Sequence, residues 1–309
     1  EHRPATGTRN ARGGSEMTWT ADSSGILVGV DGSPYSDAAV RWAVREAAMH
    51  GEALTVLAVA EHQDSRSSQT EVLVEHRRAQ RDEGDQILAA TQQLIDEELG
   101  DRTLREVHLE FMFGHPLATL IDSSQDKRMV VVGCRGRGSL GRMTLGSVSS
   151  GLVRHAHRPV AVIPQERAEP DVYAPILLGV DGSPTSELAT AIAFDEATHR
   201  HAPLIAMHAW ADRLTSGTHL NWTIDEQEGA EALSERLAGW QDRYPDVHVT
   251  PTLIRQGAGS WLVDQSDRAQ LIVVGSHGRG GFARMMLGSV SASVVEAAEA
   301  PVIVARQPS

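Results

Sequence analysis

The chain contains itself twice. GVDGSP stands at Gly29–Pro34 and again at Gly179–Pro184, 150 residues later. VVG recurs at Val131–Gly133 and Val273–Gly275, and LGSVS at Leu145–Ser149 and Leu287–Ser291, both at an offset of 142. The closing segments PVAVI (Pro159–Ile163) and PVIVA (Pro301–Ala305) keep the same 142-residue spacing. A period this long exceeds the roughly 20–50 residues of a solenoid unit, so it marks a whole domain made twice. The 309 residues therefore divide into a tail at 1–20, a first domain at 21–164, a linker at 165–173 and a second domain at 174–309. The linker carries Pro170 and the charges Glu166, Arg167, Glu169 and Asp171. The eight-residue difference between the two offsets falls mostly in the polar stretch Glu61–Asp82, where a surface loop or helix tolerates insertion. Residues 1–16 lack the apolar run of a secretory signal and read as a disordered tail, with Met17 a candidate start.

Within each copy, short apolar runs alternate with segments of helical period. Strands are expected at Ile26–Val30, Leu54–Val59, Val107–Phe113, Met129–Gly133 and Val160–Ile163. Helices are expected over Ser36–Met49, Glu71–Glu98, Pro116–Ser123 and Ser147–His155. The second copy places its strands near Ile176–Val180, Leu204–His208, His248–Ile254, Leu271–Gly275 and Val302–Val304. Strands apolar on both faces and separated by helices call for a parallel sheet covered on both sides. Right-handed crossovers then give an α/β fold: two tandem five-stranded, doubly wound sheets, each ordered 3-2-1-4-5. The winding direction reverses between strands one and four, so their carboxyl ends flank the crevice where such sheets bind ligands. The two best-kept repeats, GVDGSP and the VVG loop, lie at those two ends.

Composition narrows the chemistry. Aromatic residues are only 4%, so the cores are built from Val, Ile, Leu and Ala. No stretch approaches the roughly 18–20 apolar residues of a membrane helix. One cysteine, Cys134, excludes a disulfide scaffold and a cysteine-rich zinc module. A formal charge of −13 argues against a nucleic-acid partner, and a cytoplasmic protein is expected. Lys127 is the only lysine, so the lysine-dependent P-loop, kinase and Schiff-base chemistries have no residue to use. Phosphate, if bound, must be held by main-chain N–H groups and arginines.

The loops after the fourth strands are built for that. The first reads Gly133-Cys-Arg-Gly136, nine residues, then Gly146-Ser147; the second reads Gly275-Ser-His-Gly278, nine residues, then Gly288-Ser289. The final Gly-Ser pairs open helices, whose free N–H groups and positive dipole end favour phosphate oxygens. Ser147, Ser149, Ser289 and Ser291 offer hydroxyl donors. Arg135, Arg137 and Arg142, and His277, Arg279 and Arg284, make the loops basic on an acidic chain. Across the crevice, Asp31 and Asp181 have two readings. Each accepts from ribose hydroxyls or helps hold a phosphate-bound cation, or each begins the Asp-Gly-Ser-Pro turn and caps the helix that follows.

Other patterns are weaker. Gly136-x-Gly138-x-x-Gly141 fits the dinucleotide fingerprint, but it follows the fourth strand and no acid stands at 158–164. His155-Ala-His157 suits a basic helix C-terminus as well as it suits a metal, and no HExxH occurs. Cys134 is either a redox-sensitive thiol favoured by neighbouring arginines or a small loop residue; the second copy has Ser276 there. Trp210, Trp222, Trp240 and Trp261 are assigned to cores and loops. No catalytic residue and no metal ligand is singled out. There is no GxSxG elbow, and the SGGxDS and HxGH elements of adenylate-forming enzymes are absent.

Gly-x-x-Gly, nine residues, Gly-Ser, together with the Val-Asp-Gly-Ser first strand and the terminal Pro-Val-x-Val strand, resembles the ATP-binding universal stress proteins. The likeness covers roughly Gly25–Pro164 and Pro175–Arg306, as in the tandem mycobacterial and actinobacterial form. It implies a Rossmann-like domain of the adenine-nucleotide alpha-hydrolase type. Its expected nucleotide contacts in the first copy are Gly29, Val30, Asp31, Val59, Val132, Gly133, Arg135, Gly136, Gly146, Ser147, Val148 and Ser149, with Arg137 and Gly138 added from the loop. In the second they are Gly179, Val180, Asp181, Ala209, Val274, Gly275, His277, Gly278, Gly288, Ser289, Val290 and Ser291, with Arg279 and Gly280. The first copy departs from the usual Ser-His pair with Cys134-Arg135. The resemblance implies a stress or growth regulator binding one ATP per domain, with Mg2+ (or Mn2+) on the phosphates. A slow ATPase or nucleotide-transfer enzyme and a nucleotide-free interaction module are the alternatives. It also implies a homodimer: Val160–Ile163 and Val302–Val304 are sheet edges that invite antiparallel pairing, first between lobes and then between chains.

Overall fold

The computed structural model describes residues 25–61, 70–137, 145–164, 173–210, 222–278 and 287–306. The expected tail, and the expected linker apart from Tyr173, lie outside these residues.

The first lobe runs β1 (Ile26–Val30), α1 (Pro34–His50), β2 (Leu54–Glu61), α2 (Thr70–Leu99), β3 (Val107–Gly114), α3 (Pro116–Ser123), β4 (Met129–Gly133), α4 (Ser147–His155) and β5 (Val160–Ile163). The second runs β6 (Ile176–Gly179), α5 (Pro184–Arg200), β7 (Leu204–Ala209), α6 (Trp222–Arg243), β8 (Val249–Ile254), α7 (Ala258–Asp264), β9 (Leu271–Gly275), α8 (Ser289–Ala297) and β10 (Val302–Ala305). Boundaries differ from the sequence expectation by one or two residues. α1 begins at Pro34 rather than Ser36 because proline supplies the helical φ and has no N–H to lose at a first-turn position.

Each lobe has the strand order 3-2-1-4-5, and the two orders join into one ten-stranded sheet, β3-β2-β1-β4-β5-β10-β9-β6-β7-β8. All neighbours are parallel except at the junction, where β5 and β10 run antiparallel with Ala161 opposite Ile303. That junction is the antiparallel pairing expected first between the lobes, and it occupies the strands through which a second chain was expected to join. β5 is already bonded to β4 and β10, and β10 to β9 and β5, so neither keeps an edge for a second chain. The outer edges belong to β3 and β8.

Alternate strand residues serve opposite faces. Ile26, Val28 and Val30 pack under α1, and one core runs across both lobes beneath α1, α2, α5 and α6. Leu27, Val130 and Val132 face the other way, under α3, α4, α7 and α8. The aromatic content is concentrated in the second lobe, where Trp240 and Tyr244 pack on buried Phe194 with ring centroids 5.8 and 5.6 Å away. Trp240 and Trp261 pack on cores, as expected.

The lobes also meet through a buried polar cluster where α1 faces α5. Glu46 and Glu196 occupy the same repeat position, as do His50 and Arg200. The side chains of Glu46, His50 and Glu196 are 1%, 1% and 0% exposed. His50 Nε2 lies 3.2 Å from Glu46 Oε1 and 3.2 Å from Glu196 Oε1, shared between them and aligned on neither. Arg200 Nε donates to Glu196 Oε2 at 3.0 Å, and its Nη2 bonds Glu46 Oε2. On the far side of the ring, Arg128 Nη2 is 2.9 Å from His50 Nδ1 and Asp195 Oδ2 is 3.6 Å away; the His199 ring lies at 4.1 Å.

Burial and the neighbouring Glu196 push the Glu46 carboxyl up to about 7, against the pull of Arg200. Burial alone would lower His50, but its contacts with Glu196 and Glu46 outweigh that and hold it at about 9. Burial likewise opposes ionisation of Glu196, yet Arg200 and His50 hold it well below the usual carboxylate range. Arg128 Nη2 faces His50 Nδ1 as a donor and so opposes a second proton there, and the retained proton belongs to the cluster as a whole.

The sign follows from linkage. Both raised groups hold protons in the folded chain that the unfolded chain releases, so their stabilisation is complete below the unfolded values. It is lost as pH climbs through about 7 and about 9. Urea unfolding between pH 4.5 and 9 is expected to show a falling midpoint, and Glu46→Gln is expected to flatten the part of the fall between pH 4.5 and 7. An equally steep fall in that variant would place the titrating group elsewhere.

Candidate functional site

Strand β1 ends in Asp31-Gly32-Ser33-Pro34. The turn works because Asp31 Oδ1 accepts from Ser33 N–H at 3.0 Å and Gly32 adopts φ +71°, a conformation side-chain-bearing residues avoid. The cap of α1 is Ser33, whose Oγ accepts from Ser36 N–H at 3.2 Å, and Ser183 caps α5 in the same way. Of the second reading of Asp31 and Asp181, the turn therefore holds, and the capping falls to the serines two residues on. The second carboxylate oxygen of Asp31 reaches across the crevice and accepts from Arg137 N–H at 2.9 Å. Asp31 therefore pins the glycine loop of β4 to the end of β1, a link of 106 residues in sequence. Gly136 permits it: a Cβ there would stand 2.5 Å from Asp31 Oδ2, and one at Gly278 would stand 2.7 Å from Asp181 Oδ2.

Between these two strand ends lies a cavity of about 870 Å3, within the size range of small-molecule sites. Gly29, Val30, Asp31, Val59, Val132, Gly133, Arg135, Gly136, Arg137, Gly146, Ser147, Val148 and Ser149 all line it. These are all the first-copy site residues inside the described chain; Gly138 lies outside it, as do Arg279 and Gly280 of the second copy.

The cleft also has walls that sequence reasoning did not assign. Leu57, Leu120 and Phe111 give it apolar sides. Gln80, Glu83, Gly84 and Ile87 enter from α2 at helical spacing, a stripe that periodicity along α2 reveals once the helix is known to face the crevice.

At the floor of the loop, α4 begins inside this cavity. Its N-cap is Gly146, which has no side chain to take up the first-turn N–H groups. α8 starts likewise at Gly288, whereas α1 and α5 are closed by Ser33 and Ser183. Two α/β helices thus cap themselves, and the two after the glycine loops present their donors.

The serines divide in role. Ser149 Oγ lies 3.0 Å from both Cys134 O and Gly146 O, and Ser291 Oγ donates to Gly275 O at 2.8 Å. A hydroxyl has one hydrogen, so Ser149 and Ser291 staple the loop to its helix instead of offering a donor to a ligand. Ser147 and Ser289, at the first helical position, remain the candidate hydroxyl donors.

Of the arginines, Arg137 bonds Glu83 on α2, and Arg135 Nη1 donates to Tyr35 Oη at 3.1 Å with its guanidinium over that ring. Burial raises the Cys134 thiol, and the nearby Arg135 only partly offsets this. Such a thiol is the small loop residue of the two readings, not an activated one. Among the described residues, His155 and His157 join no cluster of three ligating side chains; the clusters found are those around His50.

The second lobe keeps the loop but changes the walls. Gly179, Val180 and Asp181 end β6, Ala209 ends β7, and Val274, Gly275, His277 and Gly278 leave β9 towards Gly288–Ser291, with Val290 packed on the core. Asp181 Oδ1 accepts from Ser183 N–H at 2.9 Å, and His277 O accepts from Thr185 Oγ1 at 2.7 Å. Where the first cleft has Ala58 and Ala60, this lobe has His208 and Trp210. His208 Nδ1 lies 2.6 Å from Val180 O. The Arg236 guanidinium lies so close over Gly182 that a Cβ there would collide with it. The two lobes share a cradle and differ in the side chains that stand over it.

Comparison with known proteins agrees with this architecture. A family model, the universal stress protein family, matches residues 24–164 and again 173–306. A universal stress protein of Mycobacterium tuberculosis is 48% identical over 286 residues, covering 92% of this chain and 97% of that one. One from Mycolicibacterium smegmatis is 43% identical over 292 residues, covering 94% and 99%. Among solved structures, a universal stress protein from Archaeoglobus fulgidus superposes with a TM-score of 0.70 at 19% identity, over 93% of this chain and 99% of that chain. Among the described residues, no helix is long and apolar enough to cross a membrane.

Proposed function

The chain belongs to the universal stress protein family, and from that premise we propose that it is a cytoplasmic, ATP-binding regulator whose principal site is the first-lobe cleft. The observation that carries this reading is the start of α4: a helix whose N-cap has no side chain opens into a cavity of about 870 Å3. Orphan N–H groups and a positive dipole end hold phosphate oxygens without a lysine. The apolar walls from Leu57, Leu120 and Phe111 suit a planar base. Mg2+ or Mn2+ enters on the phosphates; both oxygens of Asp31 accept one N–H each and keep a second lone pair.

The second lobe keeps the same cradle under His208, Trp210 and Arg236, and we assign it a second, weaker ATP site. Occupancy of the first cleft, between β1 and β4, ties the strand-one turn to the glycine loop more firmly and so biases the conformation a partner meets.

A ligand that binds only the folded chain stabilises it by RT ln(1 + [L]/Kd), about 4 kcal/mol when ATP exceeds Kd a thousandfold. Thermal unfolding with Mg-ATP is therefore expected to rise with ATP concentration. An unfolding curve indifferent to millimolar ATP contradicts the proposal.

A further inference from the structure

A second cavity, of about 200 Å3, lies where the lobes meet, outside the cleft just described. Its first-lobe wall is Tyr35, Cys134, Arg135, Val162 and Pro164, and its second-lobe wall is the end of α8 and the residues after it, from Val295 to Val302.

The repeat supplies its twin. Arg306 stands in the second copy where Pro164 stands in the first, each directly after its closing strand. Arg306 crosses to the other lobe and closes the C-terminus of α4: its Nε donates to Ala156 O at 2.6 Å and its Nη1 to Val153 O at 2.6 Å. The counterparts of those two carbonyl-bearing residues are Ala298 and Val295 on α8, and both line the cavity. Pro164 has no donor to send there. Helix C-termini attract cations, and a guanidinium offers two parallel donors to two carbonyls of a last turn. The charge nearby has also changed sign: Glu296 lines this cavity where α4 carries Arg154. Arg135 is the opposing charge, and it is engaged with Tyr35.

We propose that this cavity is a binding site for a guanidinium group on a short aliphatic stem, taking at the end of α8 the place that Arg306 takes at the end of α4. The group comes from a free small guanidine or from an arginine side chain of a bound peptide; the cavity has room for the head and a few carbons. The inference does not rest on the nucleotide reading: Arg135 borders both cavities, but the carbonyls and the carboxylate invoked here belong to the end of α8 and the residue after it.

Saturation-transfer NMR on the full chain tests it, with agmatine, the capped tripeptide Gly-Arg-Gly and butylammonium as probes. Saturable binding of agmatine at millimolar concentrations, with butylammonium bound at least tenfold more weakly, is the expected result. Binding of the tripeptide as well assigns the site to arginine side chains too. Pro164→Arg is expected to abolish agmatine binding by filling the cavity from within, and to raise the thermal midpoint. Glu296→Arg, which restores the charge found at the twin position, is expected to weaken agmatine at least tenfold and covers the case in which Pro164→Arg fails to fold. No saturable agmatine binding, equal binding of butylammonium, or undiminished binding by both variants overturns the proposal.

Discussion

Replacing Arg200 by leucine is expected to cost about 3–5 kcal/mol of unfolding free energy, the penalty for stranding buried charge. Glu46 and Glu196 are 1% and 0% exposed, and Arg200 is the cation bonded to both. Without it, His50 alone faces two carboxylates, and one of them must take up a proton to stay buried. The cost is therefore expected to shrink towards pH 5, and Glu46→Gln in the Arg200→Leu background is expected to recover a large part of it. Urea unfolding of the two variants and the double variant measures all three quantities. A loss under about 1 kcal/mol, the value of an exposed ion pair, would mean that the lobes do not stay packed through α1 and α5.

The second large effect is on ligand binding. Gly146→Asp is expected to lower the affinity of the first cleft for ATP by at least about a hundredfold, equivalent to about 2.7 kcal/mol, while leaving the fold intact. Aspartate is among the best N-cap residues, so its carboxylate takes up the first-turn N–H groups of α4 and helps that helix. It also sets a negative charge where phosphate oxygens must lie, and like charges a few ångströms apart repel by about 4 kcal/mol at an effective dielectric near 20. The new Cβ meets Arg135 Cα at 3.3 Å and Cys134 O at 3.4 Å, contacts relieved by small shifts. Calorimetric titration is expected to lose its tighter phase in this variant, and its weaker phase in Gly288→Asp. Unchanged affinity in Gly146→Asp would remove α4 from the site.

Much of the fold was legible because the inner strands are buried on both faces. Runs such as ILVGV and MVVVG admit few placements, and the repeat doubled the evidence for each. The first cleft was legible for a related reason: Asp31 and the glycine loop end adjacent strands, and topology alone brings them together.

The interface was not. Glu46 and Glu196 sit in helical segments, VREAAMH and FDEATHR, where charge ordinarily marks a solvated face. Nothing within either helix says that α1 and α5 bury those faces on each other; only the coincidence of repeat positions 46 with 196 and 50 with 200 hints at it. The roles of the Ser149 and Ser291 hydroxyls were hidden for a similar reason. A serine near a helix start offers its hydroxyl to a ligand or to the loop behind it, and only the carbonyls at Cys134 and Gly275 decide. Part of the difference between lobes, His208 and Trp210 against Ala58 and Ala60, stood in the second strands of the repeat, whereas Arg236 comes from α6, whose sequence the repeat does not preserve.

The central claim is that the intact chain holds a triphosphate on main-chain donors in its first lobe. Equilibrium dialysis of the unaltered protein against Mg-ATP tests this most directly. The account predicts two ATP bound per chain at saturation, falling towards one in Gly146→Asp at the same concentration. A protein that retains no ATP at saturating concentration, or whose bound ATP is undiminished by that substitution, contradicts it.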